Sequence, residues 1–344
     1  MTSDVTCPHG RRVYIDLGVN WANTVHLFEE VETSGGAYEV YGFEASPLIQ
    51  PYIENYFAWL NGDLLDEPES CLPPTGSTND LNRYAPMYGC PASSDTDYPG
   101  LERMRQCMFA RLAHALGALR PNPQLNSSLL IQKRLLEANR TTCLPHHGRN
   151  KYTFIPAAAA GSSTKWLSFY GPPHQLIRGG SFSDEIVGRA GPAALVRKAG
   201  DSLYNFRVRV VDVASWIARS FTLSDFVILK VDIEGAEFEL LEQMVTEGTM
   251  PIVDVLSIEC HPWVQGKDCG RLRTSIARAA PALKVLVEGK DHFGIDSRSG
   301  PRLRRQNATI RACDAIDLGR FALHHRAGKR SSRAGGGTFT GSAR

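Results

Sequence analysis

The 344-residue sequence lacks several features that would assign it to a common class of protein. No stretch approaches the roughly 20 apolar residues that a membrane-spanning helix needs. The opening residues, MTSDVTCPHGRR, contain no apolar core of a secretory signal, and we therefore predict a cytoplasmic location. No C-x-x-C pair occurs among the eight cysteines, which argues against a zinc ribbon. The sequence leaves disulfides open among the cysteines of one proline-rich segment, and with them the secretory pathway: Cys71, Cys90, Cys107 and Cys143.

An excess of charge of one sign is also missing. The formal net charge is +2, which gives no case for nucleic-acid binding by the chain as a whole. Positive charge gathers instead in residues 324–344, a segment rich in glycine and serine that contains no acid. This composition predicts a disordered basic tail over residues 320–344 and leaves residues 1–319 as the domain.

Short apolar runs alternate with helical patterns along most of the chain. Such alternation predicts an α/β fold with a parallel sheet and helices on both faces. The strongest strand candidates are RRVYIDLGVN (11–20), YEVYGFEASP (38–47), KYTFIPAAAA (151–160), FVILKVDIEG (226–235) and PIVDVLSIECHP (251–262). Weaker candidates are 164–170, 206–212, 283–289 and 307–314, the last of which could close the sheet.

Residues 61–150 do not show this alternation of apolar runs and helical patterns. The segment opens with the proline-rich DEPESCLPPTGSTND and then shows helical patterns over 101–119 and 128–139. It is far longer than a usual connection between elements. We therefore predict an inserted cap or lid near the functional site, the alternative being a peripheral elaboration of the fold.

Four of the apolar runs end in acidic residues. In open α/β sheets, ligands bind beyond the carboxyl ends of the strands, near the point where the strand order reverses. Four strands that deliver carboxylates to this edge would form one shared polar pocket. The acids are Asp16, Glu44, Asp232 with Glu234, and Glu259.

The turn after the first strand limits the class of ligand. Gly18 stands where the chain must leave the strand sharply, with its backbone close to a ligand. The turn is not a G-x-G-x-x-G loop, which disfavours a pyrophosphate and hence NAD. Glu44 ends the second strand, where a carboxylate accepts hydrogen bonds from both hydroxyls of a ribose. A nucleoside that carries a positive group and no phosphate fits these features, as in S-adenosylmethionine.

Taken in order, YIDLGVN, YGFEASP, LKVDIEGAEFELL and LSIECHP resemble the FkbM-type methyltransferases, which have the Rossmann-like class I S-adenosylmethionine-dependent fold. The resemblance covers roughly 11–60 and 151–290. It implies that the methionine side of the cofactor lies against Asp16, Gly18 and Asn20. It also implies that Glu44 holds the ribose and that the adenine pocket lies near Ala158 and Ala159.

The sequence departs from the family pattern at two places. Ala22 stands where a third glycine of the first motif is usual, a small change that should still let the following helix approach the strand. The segment AAAAG (157–161) offers no acid to adenine, so a backbone contact would have to serve.

The family resemblance implies O-methylation of a sugar or of another small-molecule hydroxyl. Because a hydroxyl is a poor nucleophile, a base or a metal near the acceptor helps the reaction. We rank Asp232 first as the base and His261 second, with Glu237 as a substrate or structural contact at a helix start. We expect substrate contacts from Glu234 and Glu259. A divalent metal is compatible with the sequence but is not required by it.

Two other functions compete with this prediction. The first is a non-catalytic protein that keeps the methyltransferase fold and binds a partner through residues 61–150. The second is a metal-dependent glycosyltransferase in which Asp232 and Glu234 bind the metal. The missing phosphate-binding loop counts against the glycosyltransferase, and a NAD-dependent dehydrogenase is weaker still for the same reason.

Overall fold

The computed structural model describes residues 10–20, 22, 24–25, 37–68, 85, 89–90, 107–108, 124–125, 127–139, 149–161, 165–171, 204–261, 264 and 266–287. The strands are β1 (Arg12–Leu17), β2 (Glu39–Phe43), β3 (Lys151–Ile155), β4 (Ala158–Ala160), β5 (Trp166–Gly171), β6 (Tyr204–Asp212), β7 (Phe226–Val231), β8 (Val255–Ile258) and β9 (Lys284–Val287). The helices are α1 (Gln50–Leu60), α2 (Ser128–Glu137), α3 (Val213–Ser220), α4 (Glu237–Thr246) and α5 (Cys269–Ala279), with a 3₁₀ turn at Met250–Ile252.

The main sheet has six strands in the order β3-β2-β1-β7-β8-β9. Every pairing within it is parallel, which confirms the predicted α/β sheet. The strand β1 lies between β2, which follows it in the chain, and β7, which is much further along. The strand order therefore reverses between β1 and β7, and the ligand crevice of an open α/β sheet forms at such a point.

Both faces of this sheet are covered, as the run of apolar residues in its strands predicts. Alternate residues of a strand point to opposite faces. In β1, Val13 and Ile15 belong to one apolar core, while Tyr14 belongs to the other. The first core includes residues of α3, α4 and α5, and the second includes Ile53 and Phe57 of α1. Side chains of β1 and β7 in both cores are almost completely buried.

The predicted single run KYTFIPAAAA divides into two strands at Pro156. The first part, β3, is the edge strand of the main sheet, and the second, β4, pairs with β6 in a separate three-stranded sheet of order β4-β6-β5. Proline has no N–H to donate to a ladder, which explains the break. The pairing of β5 with β6 is antiparallel. Periodicity alone did not predict this smaller sheet.

The helix after β6 begins directly after Asp212. Its side chain accepts a hydrogen bond from the Ser215 amide at 3.0 Å, so Asp212 is the N-cap residue of α3. Asp268 caps α5 in the same way through the Arg271 amide at 2.8 Å.

The helix α2 is the part of the predicted insertion that is described at length. Arg134 donates to the Phe154 carbonyl oxygen of β3 at 2.7 Å and pairs with Glu54 of α1 at 2.6 Å. This helix therefore packs at the β3 edge of the main sheet. The other predicted helix, 101–119, lies almost entirely outside the described residues, so the cap or lid stays a prediction.

Two further predictions, the strand 307–314 and the tail 320–344, fall outside the described residues. Within the part of the chain that the structure describes, no helix has the length and apolar character to cross a membrane.

Candidate functional site

The predicted acids all reach the carboxyl edge of the main sheet. Asp16 is the penultimate residue of β1, and Glu44 directly follows β2. Asp232 directly follows β7, and Glu259 directly follows β8. Since β1, β2, β7 and β8 are adjacent and parallel, these residues meet at one edge, across the point where the strand order reverses.

Lys230 contacts several groups on the β1 side of this edge. The β1–β7 register places Lys230 directly beside Asp16. The Lys230 ammonium lies 3.4 Å from Asp16 Oδ1 and 3.3 Å from Asp232 Oδ2, and it donates to the Gly18 carbonyl oxygen at 2.8 Å. We call this group the lysine cluster: Lys230, Asp16, Asp232 and the Gly18 carbonyl. Lys230 is therefore an ion-pair partner of two of the acids at this edge.

Asp16 is fully buried at the centre of the lysine cluster. Its Oδ2 atom accepts hydrogen bonds from the Thr24 hydroxyl and, at 3.4 Å, from the Tyr14 hydroxyl. Its Oδ1 atom is buried, accepts no hydrogen bond from the described residues, and faces the Lys230 ammonium. The Lys230 ammonium is therefore the group that offsets the charge of this buried oxygen.

Gly18 is required by a contact within the protein. Its φ of +81° lies in the left-handed region. A Cβ atom here would lie 1.9 Å from the Asp232 carbonyl oxygen. Only glycine avoids both problems, since it has no Cβ. The close neighbour in the structure is the loop after β7, so Gly18 lets the two loops of the crevice touch. The predicted approach of this backbone to a ligand stays a prediction.

Two non-glycine residues after β1 also have left-handed backbones. Asn20 has a φ of +52° and Ala22 a φ of +61°. Asparagine tolerates this conformation, whereas alanine does so at a cost. The backbone of Ala22 thus has the conformation that suits the glycine usual in this family. Alanine at this position therefore strains the backbone, which the sequence alone did not reveal.

Glu44 joins the β1 loop to the end of β2. Its carboxylate accepts the Asn20 amide at 2.9 Å and the Ser46 amide at 2.7 Å. Burial raises the pKa of Glu44 to about 7, although these two amides act in the opposite direction. Each carboxylate oxygen that accepts one amide keeps a second lone pair, so the group can still accept hydroxyl donors.

Ala158 lies near this region, at the start of β4. It is buried and packs with Leu167 and Val208, and Ala45, the residue after Glu44, packs against the same apolar group. Ala159 belongs to the main core on the other side of the strand. Of the two alanines, Ala158 is therefore the one whose apolar neighbours include the residue next to Glu44.

His261 organises the β8 side of the edge. Its ring is buried, and its Nδ1 atom lies 3.0 Å from Glu237 Oε1, the same oxygen that accepts the His261 amide at 2.9 Å. The other oxygen of Glu237 accepts the Gly235 amide at 2.7 Å. Glu237 itself is fully buried. The predicted role of Glu237 as a structural contact fits this placement better than a role in contacting a substrate.

The second ring nitrogen of His261 faces three more carboxylates. Its Nε2 atom lies 3.9 Å from Asp232 Oδ1, 3.8 Å from Glu234 Oε2 and 3.8 Å from Glu259 Oε1. We call this group the histidine cluster: His261, Asp232, Glu234, Glu237 and Glu259. Asp232 belongs to both clusters and joins them into one continuous polar edge.

The histidine cluster shifts the protonation of its members. Burial lowers the pKa of His261, but the hydrogen bond and charge of Glu237 and the charges of Glu234 and Asp232 raise it to about 9. Burial raises the pKa of Glu234 to about 7, while the His261 charge acts in the opposite direction. Groups with such shifted pKa values gather at functional sites more often than elsewhere.

A turn brings Asp232 and Glu234 together. Two residues that are two apart would share a face only if both were still in a strand. The strand ends at Val231, and Glu234 has a left-handed φ of +52°. The turn before α4, and not the pleat of a strand, brings the two carboxylates to His261.

A disulfide that the sequence did not single out borders the histidine cluster. Cys260, between Glu259 and His261, is bonded to Cys269 at the first position of α5. A second disulfide joins Cys90 and Cys107 in the proline-rich segment. The short spacing of Cys260 and Cys269 could have suggested this disulfide, but spacing alone does not establish a pairing.

Comparison with known families agrees with this geometry. A family model for the methyltransferase FkbM domain matches residues 4–280, most of the chain. The chain belongs to the FkbM methyltransferase family. The family match runs through 61–150, a segment that the motif resemblance left out. Searches of curated proteins and of solved structures found no match to this FkbM-family chain.

The residues at the edge fit the cofactor that the family suggests. The crevice between β1 and β7 is lined by carboxylates, which attract a sulfonium and repel a pyrophosphate. Glu44, at the end of β2, retains lone pairs for two ribose hydroxyls. S-adenosylmethionine carries both of these features, a positive sulfur and a ribose without a phosphate.

Proposed function

We propose that this FkbM-family protein is an S-adenosylmethionine-dependent O-methyltransferase that acts on a hydroxyl of a sugar or another small molecule. The observation that carries the proposal is the buried carboxylate of Glu44. It stands at the end of β2, beside the β1 loop and next to the reversal of strand order. Ribose recognition by an acid at this position is the usual solution in Rossmann-like folds.

The cofactor would lie across the β1 and β2 loops. Asp16, Gly18 and Asn20 would face its methionine part, Glu44 would accept the ribose hydroxyls, and Ala158 would border the adenine. When bound, S-adenosylmethionine supplies a methyl group activated by the positive sulfur. The lysine cluster supports this half of the site because it fixes the β1 loop to the β7 loop through the Gly18 carbonyl.

The acceptor would lie on the side of the histidine cluster. Asp232 is our first candidate for the base, since its side chain is 25% exposed and it lies between the two clusters. Asp232 would take the proton of the acceptor hydroxyl while the oxygen takes the methyl group from the sulfonium, whose sulfur would keep the electron pair of the broken bond. His261 remains the second candidate.

Two acids at the rim suit a hydroxylated acceptor. The side chains of Glu234 and Glu259 are 25% and 45% exposed. Both can therefore accept hydrogen bonds from an incoming ligand. A sugar or polyol offers several donors to such a rim.

Transfer of a radiolabelled methyl group from S-adenosylmethionine to fractionated cell extract tests the proposal. We expect a labelled small molecule or glycan, and a loss of about 100-fold in rate for Asp232→Asn, the usual size for removal of a general base. The matched control is Asp225→Asn, which alters a buried acid at the amino end of β7 and should leave the rate nearly unchanged.

Three other outcomes would overturn parts of the proposal. Cofactor binding without transfer to any fraction would indicate a non-catalytic member of the family. Manganese-dependent binding of a nucleotide sugar, with no binding of S-adenosylmethionine, would indicate the glycosyltransferase. Label in protein alone would contradict the small-molecule acceptor.

A further inference from the structure

The histidine cluster brings three oxygen donors to a single nitrogen donor. The three carboxylate oxygens from Asp232, Glu234 and Glu259 lie within a narrow range of 3.8–3.9 Å from His261 Nε2. The donor atoms of Asp232, Glu234 and His261 all lie within 4.8 Å of one another. Separate loops supply these donors, since Asp232 and Glu234 follow β7 while His261 follows β8.

His261 is fixed in the orientation that a metal ligand needs. The imidazole is only 3% exposed, and its Nε2 atom points into the group of carboxylates. Its Nδ1 atom is fixed by the fully buried Glu237 at 3.0 Å. A carboxylate on the far nitrogen is the usual partner of a metal-binding histidine, because it orients the ring and makes it a stronger ligand. This buried support is a separate observation from the rim of acids.

The spacing of the donors suits a small divalent ion. Such an ion binds nitrogen and oxygen at about 2.0–2.2 Å, so ligands on opposite sides of it lie about 4.2 Å apart and neighbouring ligands about 3.0–3.5 Å apart. The three separations from Nε2 lie between these two values. Movements of less than about 1 Å in the partly exposed acids would bring the remaining separations into the same range.

We propose that Asp232, Glu234 and His261 bind one divalent transition-metal ion, with Glu259 near enough to add a fourth ligand. One nitrogen and several carboxylate oxygens suit manganese or zinc better than calcium. The role of the ion rests on the proposed function: it would bind the acceptor hydroxyl and make it acidic enough to release its proton to water. In this form of the site Asp232 and His261 are ligands, and the metal replaces a base.

A purely structural arrangement makes a different prediction. If His261 is only a cation paired with its four carboxylates, the cluster is complete without a metal. Manganese would then bind weakly and without preference for these residues. The two accounts therefore differ in whether binding depends on particular side chains of the cluster.

Manganese alone is the probe for this test. The full-length chain is treated with a chelator, dialysed and titrated with Mn²⁺, and the free ion is followed by electron paramagnetic resonance without S-adenosylmethionine. We expect one Mn²⁺ per chain, at least 10-fold weaker binding in Glu234→Gln and His261→Ala, and a loss of about 10-fold to 100-fold in Glu237→Gln through the orientation of His261. The matched control is Glu239→Gln, an exposed acid in the same first turn of α4 that should bind as wild type.

The outcomes separate this inference from the proposed function. No binding of Mn²⁺ at millimolar concentration, or equal binding in wild type and Glu234→Gln, would overturn the metal site. Circular dichroism checks folding of His261→Ala, and Glu234→Gln keeps the test valid if that variant unfolds, because Glu234 is at the rim. A chain that binds Mn²⁺ but not S-adenosylmethionine would support the metal site and contradict the proposed methyltransferase. A chain that binds S-adenosylmethionine but not Mn²⁺ would contradict the metal site and leave the proposed methyltransferase standing.

Discussion

The lysine cluster and the histidine cluster meet at Asp232 but balance their charges differently. In the lysine cluster, one buried ammonium lies within 3.4 Å of both acids and also binds a backbone carbonyl. In the histidine cluster, four carboxylates lie within 3.9 Å of the nitrogens of one imidazole. Removal of a charge from water is costly unless it is paired.

This difference suggests a division of labour. The lysine cluster has one ammonium for two acids and fixes two loops through the Gly18 carbonyl, which suits the half that we assign to the cofactor. The histidine cluster has four acids for one imidazole, and this larger excess of acids attracts a further positive partner, which suits the half that we assign to the acceptor and to a metal. The following predictions separate these two roles, beginning with the largest expected effect.

Removal of the Lys230 ammonium should cause the largest loss of stability among these variants. Lys230→Met keeps the length of the side chain but leaves the fully buried Asp16 without its cation. We expect the free energy of unfolding to fall by about 3 kcal/mol, the usual cost of a broken buried pair. Denaturant unfolding followed by circular dichroism measures this loss.

An exposed pair provides the control for that variant. Lys267 binds Glu242 at 2.6 Å, and both side chains are at least one-third exposed. Lys267→Met should cost less than about 1 kcal/mol, as surface pairs usually do. Equal losses in the two variants would contradict the structural role of the lysine cluster.

The disulfide beside His261 should stabilise the histidine cluster selectively. It closes a loop with a sequence separation of 9. Such a bond contributes about 2 kcal/mol through the entropy of the unfolded chain. We expect Cys260→Ser with Cys269→Ser to lose that amount in denaturant unfolding, with cofactor affinity nearly unchanged. The matched control is the pair Cys90→Ser and Cys107→Ser, and a selective loss of cofactor affinity in the Cys260 pair would contradict the division between the clusters.

The same bonds bear on the predicted cytoplasmic location. Disulfides persist in oxidising compartments and are rare in the cytoplasm of most cells. The cytoplasmic location stays a prediction, and the two disulfides argue against it. Free-thiol titration of the protein from its native source would decide whether they form there.

The pKa of Glu44 predicts how pH affects the cofactor half. Burial raises this pKa to about 7. Below that pH the carboxyl carries a proton and accepts ribose hydroxyls poorly, so cofactor affinity should rise about 10-fold between about pH 6 and about pH 8. The contribution of Glu44 to folding has the opposite sign. Because burial raises its folded pKa above the usual value, this contribution is largest at low pH and is lost as pH rises towards the folded pKa. Glu44→Gln should remove both trends in calorimetry and unfolding experiments, and affinity that falls with rising pH in wild type would contradict this role.

The smallest effect concerns the backbone of the β1 loop. Ala22 has a left-handed backbone. Ala22→Gly should therefore raise the free energy of unfolding by about 1 kcal/mol. The control is Ala214→Gly within α3, where glycine should instead lower it by about 1 kcal/mol. A loss of stability in Ala22→Gly would show that this loop does not hold the conformation described.

The sequence predicted the main sheet and the edge where the acids meet because both depend on local signals. Apolar runs that end in acids predict strands, and parallel strands with helical connections place their carboxyl ends together. The smaller sheet was missed because a proline break and a long-range pairing of β4 with β6 determine it. Neither feature changes the apolar pattern of 151–160.

The arrangement within the site was harder to predict. Asp16 and Lys230 are far apart in the sequence, and only the β1–β7 register makes them neighbours. Glu237 was predicted as a substrate or structural contact at a helix start, but its full burial against His261 was not predicted. Register and tertiary burial decide both contacts, and local sequence encodes neither of them.

The measurement that tests the central claim most directly is calorimetric titration of the chain with S-adenosylmethionine. We predict one site per chain in wild type and binding at least about 30-fold weaker in Glu44→Gln, through loss of charge-assisted hydrogen bonds. Asp225→Asn is the matched control, since Asp225 is a buried acid that also accepts two backbone amides, those of Arg11 and Thr222. Its affinity should stay near that of wild type. No heat of binding at millimolar cofactor, or equal affinity in Glu44→Gln and wild type, would contradict the account.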